Sequence, residues 1–120
     1  MNYTGAVAPL ERTLRRSFVA DHFHDRPGFQ EARHGHNWTV EATVEDPEGG
    51  EAAFAGALDA WVQSLDYALL NDAPLLARRN PTAELLAQRA FEALAAEGLA
   101  PRRVKVTEKP NYWAACEARS

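Results

Sequence analysis

The sequence predicts an α+β fold in the order ββααββ: an antiparallel four-stranded sheet with two helices on one face. Three observations predict it. Apolar and polar residues alternate over 10–23 and again over 35–46, the two-residue period of half-buried strands. In the middle of the chain the apolar spacing changes to three and four, the period of amphipathic helices. Alternation then returns over 102–108 and 111–118.

The first strand places Leu14, Phe18, Ala20 and His22 on one parity, with Arg15, Ser17 and Asp21 on the other. Asp25-Arg26-Pro27-Gly28 reads as a loop that breaks the chain. The second strand carries Trp38, Val40, Ala42 and Val44 on one face and stops at Asp46-Pro47-Glu48-Gly49-Gly50. Phe54, Ala57, Leu58, Trp61, Val62 and Leu65 form the apolar stripe of the first helix. Residues 69–74 connect it to the second helix, which starts near Asn80-Pro81-Thr82. There Asn80 or Thr82 can cap, and Pro81 suits a first turn. That helix turns Leu86, Ala90, Phe91 and Leu94 inward and stops at Gly98. The last two strands form a hairpin around Pro110-Asn111.

With 120 residues, 46% apolar and 25% charged, residues 1–120 read as a single globular domain. A formal net charge of −4 argues against a nucleic-acid partner, whose footprint would be basic and clustered. No apolar run approaches the roughly 18 residues needed to span a bilayer, and no signal peptide is visible at Met1-Asn2-Tyr3-Thr4-Gly5. The single cysteine, Cys116, fits a reducing, cytoplasmic location. It also reads as a small buried hydrophobe.

Chemistry concentrates in His34-Gly35-His36, with His22 upstream. Residues two apart on a strand share a face, so His34 and His36 extend the apolar file of Trp38, Val40 and Val44. His22 ends a similar file. Three hydrogen-bonded core histidines are one reading. Three neutral imidazoles with an open fourth position are the other, and they form the ligand set of a catalytic zinc, with Zn–N distances of about 2.0–2.1 Å. A same-face pair plus a third histidine favours the metal. Glu108 follows Val104 and Val106 in parity. Either the strand has ended there and the carboxylate is solvated, or a buried carboxylate accepts a parallel N–H pair from a ligand.

Taken in order, Phe18-x-Ala20-x-His22, His34-Gly35-His36-Asn37-Trp38, Leu65-Asp66-x-x-Leu69-x-Asn71, Asn80-Pro81-Thr82-x-Glu84 and Val106-x-Glu108 resemble the 6-pyruvoyltetrahydropterin synthase family. That family includes bacterial 6-carboxytetrahydropterin synthase. The resemblance spans Phe18 to Cys116. It implies the tunnelling fold, with ββααββ subunits whose sheets join into a barrel. It also implies a homo-oligomer, a dimer of trimers with active sites between subunits. His22, His34 and His36 match the zinc ligands. Glu108 matches the glutamate that grips the pterin's 2-amino-pyrimidinone edge, with Thr82 in the same pocket. The implied substrate is a small-molecule pterin, 7,8-dihydroneopterin triphosphate.

Two positions depart from the family pattern. The family's cysteine, four residues before His-Gly-His, is Gln30 here, and its catalytic histidine after the aspartate is Tyr67, beside Asp66. Glu31 has the spacing of a variant group in which a glutamate three residues before His-Gly-His replaces that cysteine. In that group the side chain is cleaved by retro-aldol chemistry to 6-hydroxymethyl-7,8-dihydropterin. The resemblance therefore implies a zinc-dependent lyase with Glu31 as base and Asp66 and Tyr67 beside it. Three alternatives stay open: 6-carboxytetrahydropterin synthase-type activity, a zinc- and pterin-binding protein without turnover, and catalysis on another reduced pterin or purine-like ring. Elsewhere, Trp61 reads as core, Trp38 and Trp113 as interior or interface packing, and His24, Arg15 and Arg16 as solvated strand residues.

Overall fold

A computed structural model describes residues 10–22, 25–26, 29–30, 34–47, 49–72 and 81–119. Strand β1 (Glu11–His22) pairs antiparallel with β4 (His34–Glu45) along its whole length. Between them two short strands, β2 (Asp25–Arg26) and β3 (Phe29–Gln30), pair with each other. The stretch read from sequence as a plain break thus contains a minimal ladder, and the Pro27-Gly28 pair between its strands is a turn signal that suits it. Helix α1 (Gly50–Gln63), a 3₁₀ turn (Leu70–Asp72) and helix α2 (Ala83–Ala96) follow. Strands β5 (Pro101–Lys109) and β6 (Tyr112–Glu117) complete a four-stranded antiparallel sheet in the order β1-β4-β5-β6. This is the predicted ββααββ order.

Alternation decides which face is buried. Phe18, Ala20, Trp38, Val40, Ala42, Val44, Val104 and Val106 lie under the helices, while α1 contributes Phe54, Leu58, Trp61 and Val62. From α2 come Ala83, Leu85, Leu86, Ala87, Ala90 and Leu94. Each large side chain so buried is worth about 1.5–3 kcal/mol against solvent exposure. Phe91 is half-buried, at the margin of the core, as are Leu14 and Cys116. Burial still pushes the Cys116 thiol above its ordinary range, with the charge of Glu92 adding to it.

An aromatic cluster fixes the β1–β4 register. Phe18 and Trp38 are cross-strand partners with stacked rings 6.1 Å apart, and Trp61 meets Phe18 edge-on at 5.9 Å. The Trp38 indole N–H donates to the Ala20 carbonyl at 3.2 Å. Arg16, half-buried, ties β1 to α1 through Asp59 at 2.7 Å. It is therefore ion-paired and not merely solvated.

Helix ends follow their sequence signals. Thr82 caps α2, its Oγ1 accepting from Leu85 N–H at 3.1 Å. Gly98, just past α2, has φ of +84°, a left-handed position that glycine takes without steric cost. No described helix is long and apolar enough to cross a membrane.

Candidate functional site

The β1–β4 ladder sets the position of the three histidines. His22 lies directly opposite His34, and Ala20 directly opposite His36. Opposed residues in an antiparallel pair share a face, as do residues two apart. His22, His34 and His36 therefore occupy one corner of one face, the face on which Phe18, Ala20 and Trp38 are buried. Directly opposed Cβ atoms lie about 4.5–5.5 Å apart, close enough for imidazoles to converge on one ion. Their side chains lie outside the described part of the chain, so the fit rests on register and donor chemistry. By both, the three positions suit zinc. Among the described residues no group of three or more His, Cys, Asp or Glu gathers to hold a metal. Glu31 and His24 lie outside the described residues, as does the side chain of Gln30.

Glu108 is neither in a turn nor fully buried. Strand β5 runs on to Lys109, and Glu108 is half-buried within it. Thr107 pairs with Trp113 and Lys109 with Tyr112, so Glu108 is the extra residue of a bulge. A bulge re-aims its side chain relative to the plain alternation that parity assumes. Thr82 spends its hydroxyl oxygen on the cap of α2. One turn on, Glu84 accepts a 2.5 Å hydrogen bond from the Tyr112 hydroxyl. The Tyr112 phenol is pushed above its ordinary range by that bond first, then by burial and by the charges of Glu84 and Glu108. Tyr112 thus links the start of α2 to the end of β5. Sequence reading gave Tyr112 no role; only the hairpin geometry brings it to Glu84.

Asp66 and Tyr67 serve the outer edge of β1. Asp66 Oδ1 accepts from the Val19 N–H at 2.9 Å, and the Tyr67 N–H donates to the Val19 carbonyl at 2.5 Å. Asp21 N–H donates to the Ala68 carbonyl at 3.0 Å, and Leu69 forms a parallel bridge with Asp21. Residues 66–69 so cover an edge that would otherwise present unpaired donors. The Tyr67 side chain is 83% exposed and its φ is +59°, unusual for a bulky residue. Within the subunit it points away from the core and joins no described polar cluster.

The family model for 6-pyruvoyl tetrahydropterin synthase matches residues 11–119. The chain belongs to that family. Among solved structures, the synthase of Caenorhabditis elegans is 17% identical with a TM-score of 0.76, over 93% of this chain and 97% of that one. That of Plasmodium falciparum is 15% identical with a TM-score of 0.63, over 93% and 99%. A Plasmodium vivax synthase in which a glutamate described as a catalytic residue is replaced by alanine is 14% identical. Its TM-score is 0.63, over 95% and 100%. No curated protein matches the sequence significantly. These likenesses establish the 6-pyruvoyl tetrahydropterin synthase fold, a four-stranded antiparallel sheet with two helices, across nearly the whole chain.

Proposed function

We propose that this member of the synthase family is a zinc-dependent lyase. Its substrate would be 7,8-dihydroneopterin triphosphate or a related reduced pterin, cleaved in its side chain to 6-hydroxymethyl-7,8-dihydropterin. The observation that carries the reading is the placement of His22, His34 and His36 on one face, by a register that puts His22 opposite His34. Those three residues would hold zinc, which supplies Lewis acidity that makes a side-chain hydroxyl easier to deprotonate. Glu108, with Thr82 close to it in the family pocket, would accept the paired N–H groups of the pterin and fix the ring's orientation.

Glu31 would take the proton of a side-chain hydroxyl. That oxygen, on the second side-chain carbon, becomes the carbonyl of an aldehyde fragment. The fragment leaves with the phosphate chain as the bond to the first side-chain carbon breaks. The electron pair is delocalised into the ring C=N, and a proton returned to the first side-chain carbon gives the hydroxymethyl product. Support comes from the Plasmodium vivax protein whose replaced catalytic residue is a glutamate. Further support is that Asp66 is engaged by the Val19 backbone and Tyr67 faces outward, which leaves the base role to another residue. Those same two facts favour one second reading, a zinc- and pterin-binding protein without turnover. We place the enzyme in the cytoplasm, which its single cysteine fits, and as a dimer of trimers with sites between subunits, as the family resemblance implies; β6 at an edge of the sheet is open to association. Light scattering that gives six chains would bear this out, and a monomer would refute it.

The test of function is product analysis by mass after the zinc-loaded protein meets 7,8-dihydroneopterin triphosphate. 6-Hydroxymethyl-7,8-dihydropterin, lost in Glu31→Ala, is the expected result. Binding without any turnover would favour the second reading, and full activity in Glu31→Ala would remove Glu31 as base.

A further inference from the structure

Within the subunit, strand β6 is paired on one side only, to β5, and the turn between them holds just Pro110 and Asn111. Ala114 and Cys116 pack against the core, opposite Val106 and Val104 of β5. Two-residue alternation puts Tyr112 on that same helix-facing side and Trp113 on the other. Tyr112 thus faces α2, where its hydroxyl donates to Glu84 at 2.5 Å.

Glu108 lies at the same end of the hairpin. As the bulge residue between the Thr107–Trp113 and Lys109–Tyr112 pairs, it lacks the regular pairing with β6 that would fix its direction. On the other side, Thr39 of β4 pairs with Thr107. That register sets Glu108 level with Trp38, two residues along β4 from His36. The Tyr112 phenol feels the charges of both Glu84 and Glu108, so one hydroxyl proton stands near two acids, and Glu84 takes it. Two carboxylates at one corner repel each other. A donor committed to Glu84 eases that repulsion and ties the soft end of the hairpin to the start of α2. Being exposed, the bond adds little to stability. Its consequence is positional.

We propose that Tyr112 is a positioning residue for the Glu108 carboxylate. By clipping the hairpin end to Glu84, it holds Glu108 in the attitude that accepts two adjacent N–H groups from a ring edge. The inference rests on the pterin-binding role proposed above for Glu108. It also names a selectivity. A ring with oxygen in place of the 2-amino group turns an acceptor toward the carboxylate and is rejected.

Equilibrium binding of neopterin to the zinc-loaded full chain, read by its fluorescence, tests this beside the lumazine that carries the same side chain. In that lumazine a carbonyl oxygen replaces the 2-amino group. Tyr112→Phe removes the hydroxyl and keeps the ring. It should weaken neopterin binding about tenfold, with the weaker binding of the lumazine and the circular dichroism unchanged. In a Glu108→Gln background the same substitution should have no further effect, because no carboxylate remains to be positioned; a purely structural bond would lose the same factor in both backgrounds. Undiminished neopterin binding in Tyr112→Phe would overturn the inference while leaving the pterin reading intact. An equal loss for both rings, or a full further loss in Glu108→Gln, would overturn it in the same way. A wild-type chain that binds neither ring would overturn the pterin reading and the inference together.

Discussion

The carboxylate of Asp66 accepts the backbone N–H of Val19 at 2.9 Å. An aspartate read from the sequence as part of the catalytic machinery therefore holds the edge of a strand. Asp66→Ala should cost about 1–2 kcal/mol of stability, and Asp66→Asn, which keeps an acceptor oxygen, should recover most of it. Denaturant unfolding of both variants checks this. Equal losses in the two would mean that charge, not the bond to Val19, is what matters.

Tyr67 sits beside it at a φ of +59° with its ring exposed. A left-handed position costs a bulky L-residue about 1–2 kcal/mol, with no burial here to offset it. Tyr67→Gly is expected to be neutral or stabilising by up to about 1 kcal/mol. A clear loss of stability would show that the phenol has a packing role.

The two core indoles differ in one bond. Trp38 donates to the Ala20 carbonyl, whereas the buried Trp61 N–H has no partner among the described residues. Trp38→Phe strands an acceptor, while Trp61→Phe removes an unpaired donor. The first should be more destabilising than the second by about 1–2 kcal/mol, measured by chemical denaturation; the reverse order would contradict this account.

Metal content tests the histidine corner directly. Purified protein should carry close to one zinc per chain, and His34→Ala should lose nearly all of it. Changes at mere outer-shell partners already cost about 10–100-fold in affinity, and removing a ligand costs more. Elemental analysis reads this without any assay of activity. Undiminished zinc in His34→Ala would place the metal elsewhere.

Tyr112 supplies a pH test. Its bond to Glu84 raises the phenol above its ordinary value of 10.0, so the bond's stabilisation is fully present below pH 10 and lost as pH rises through the folded value. Because the pair is exposed and screened, Tyr112→Phe should cost only about 0.5 kcal/mol at neutral pH. That difference should shrink to nothing in strongly alkaline solution. Unfolding curves across that range measure it, and a gap that widened with pH would refute the assignment.

Most of the fold was legible because periodicity reports faces. The alternation ending at His22 and beginning at His34 gave both strands and, through parity, the shared face of the histidines. Thr82 and Gly98 marked the ends of α2 by their own chemistry. Glu108 was half legible, since its parity was visible but the bulge that re-aims it depends on pairing with β6. The contacts of Asp66 and Tyr112 were not legible. Both depend on partners, Val19 and Glu84, that are distant in sequence and meet only through the tertiary fold.

The pairing of His22 with His34 has a consequence for how this protein can change. The eleven residues between them, which include Gln30 and Glu31, are a closed insert whose two ends the ladder has already brought together. Their replacement need not move the histidine positions, since closing the insert adds little entropic cost with length. Exchanging residues 23–33 is therefore expected to change what stands beside the three histidine positions while the β1–β4 register leaves those positions in place.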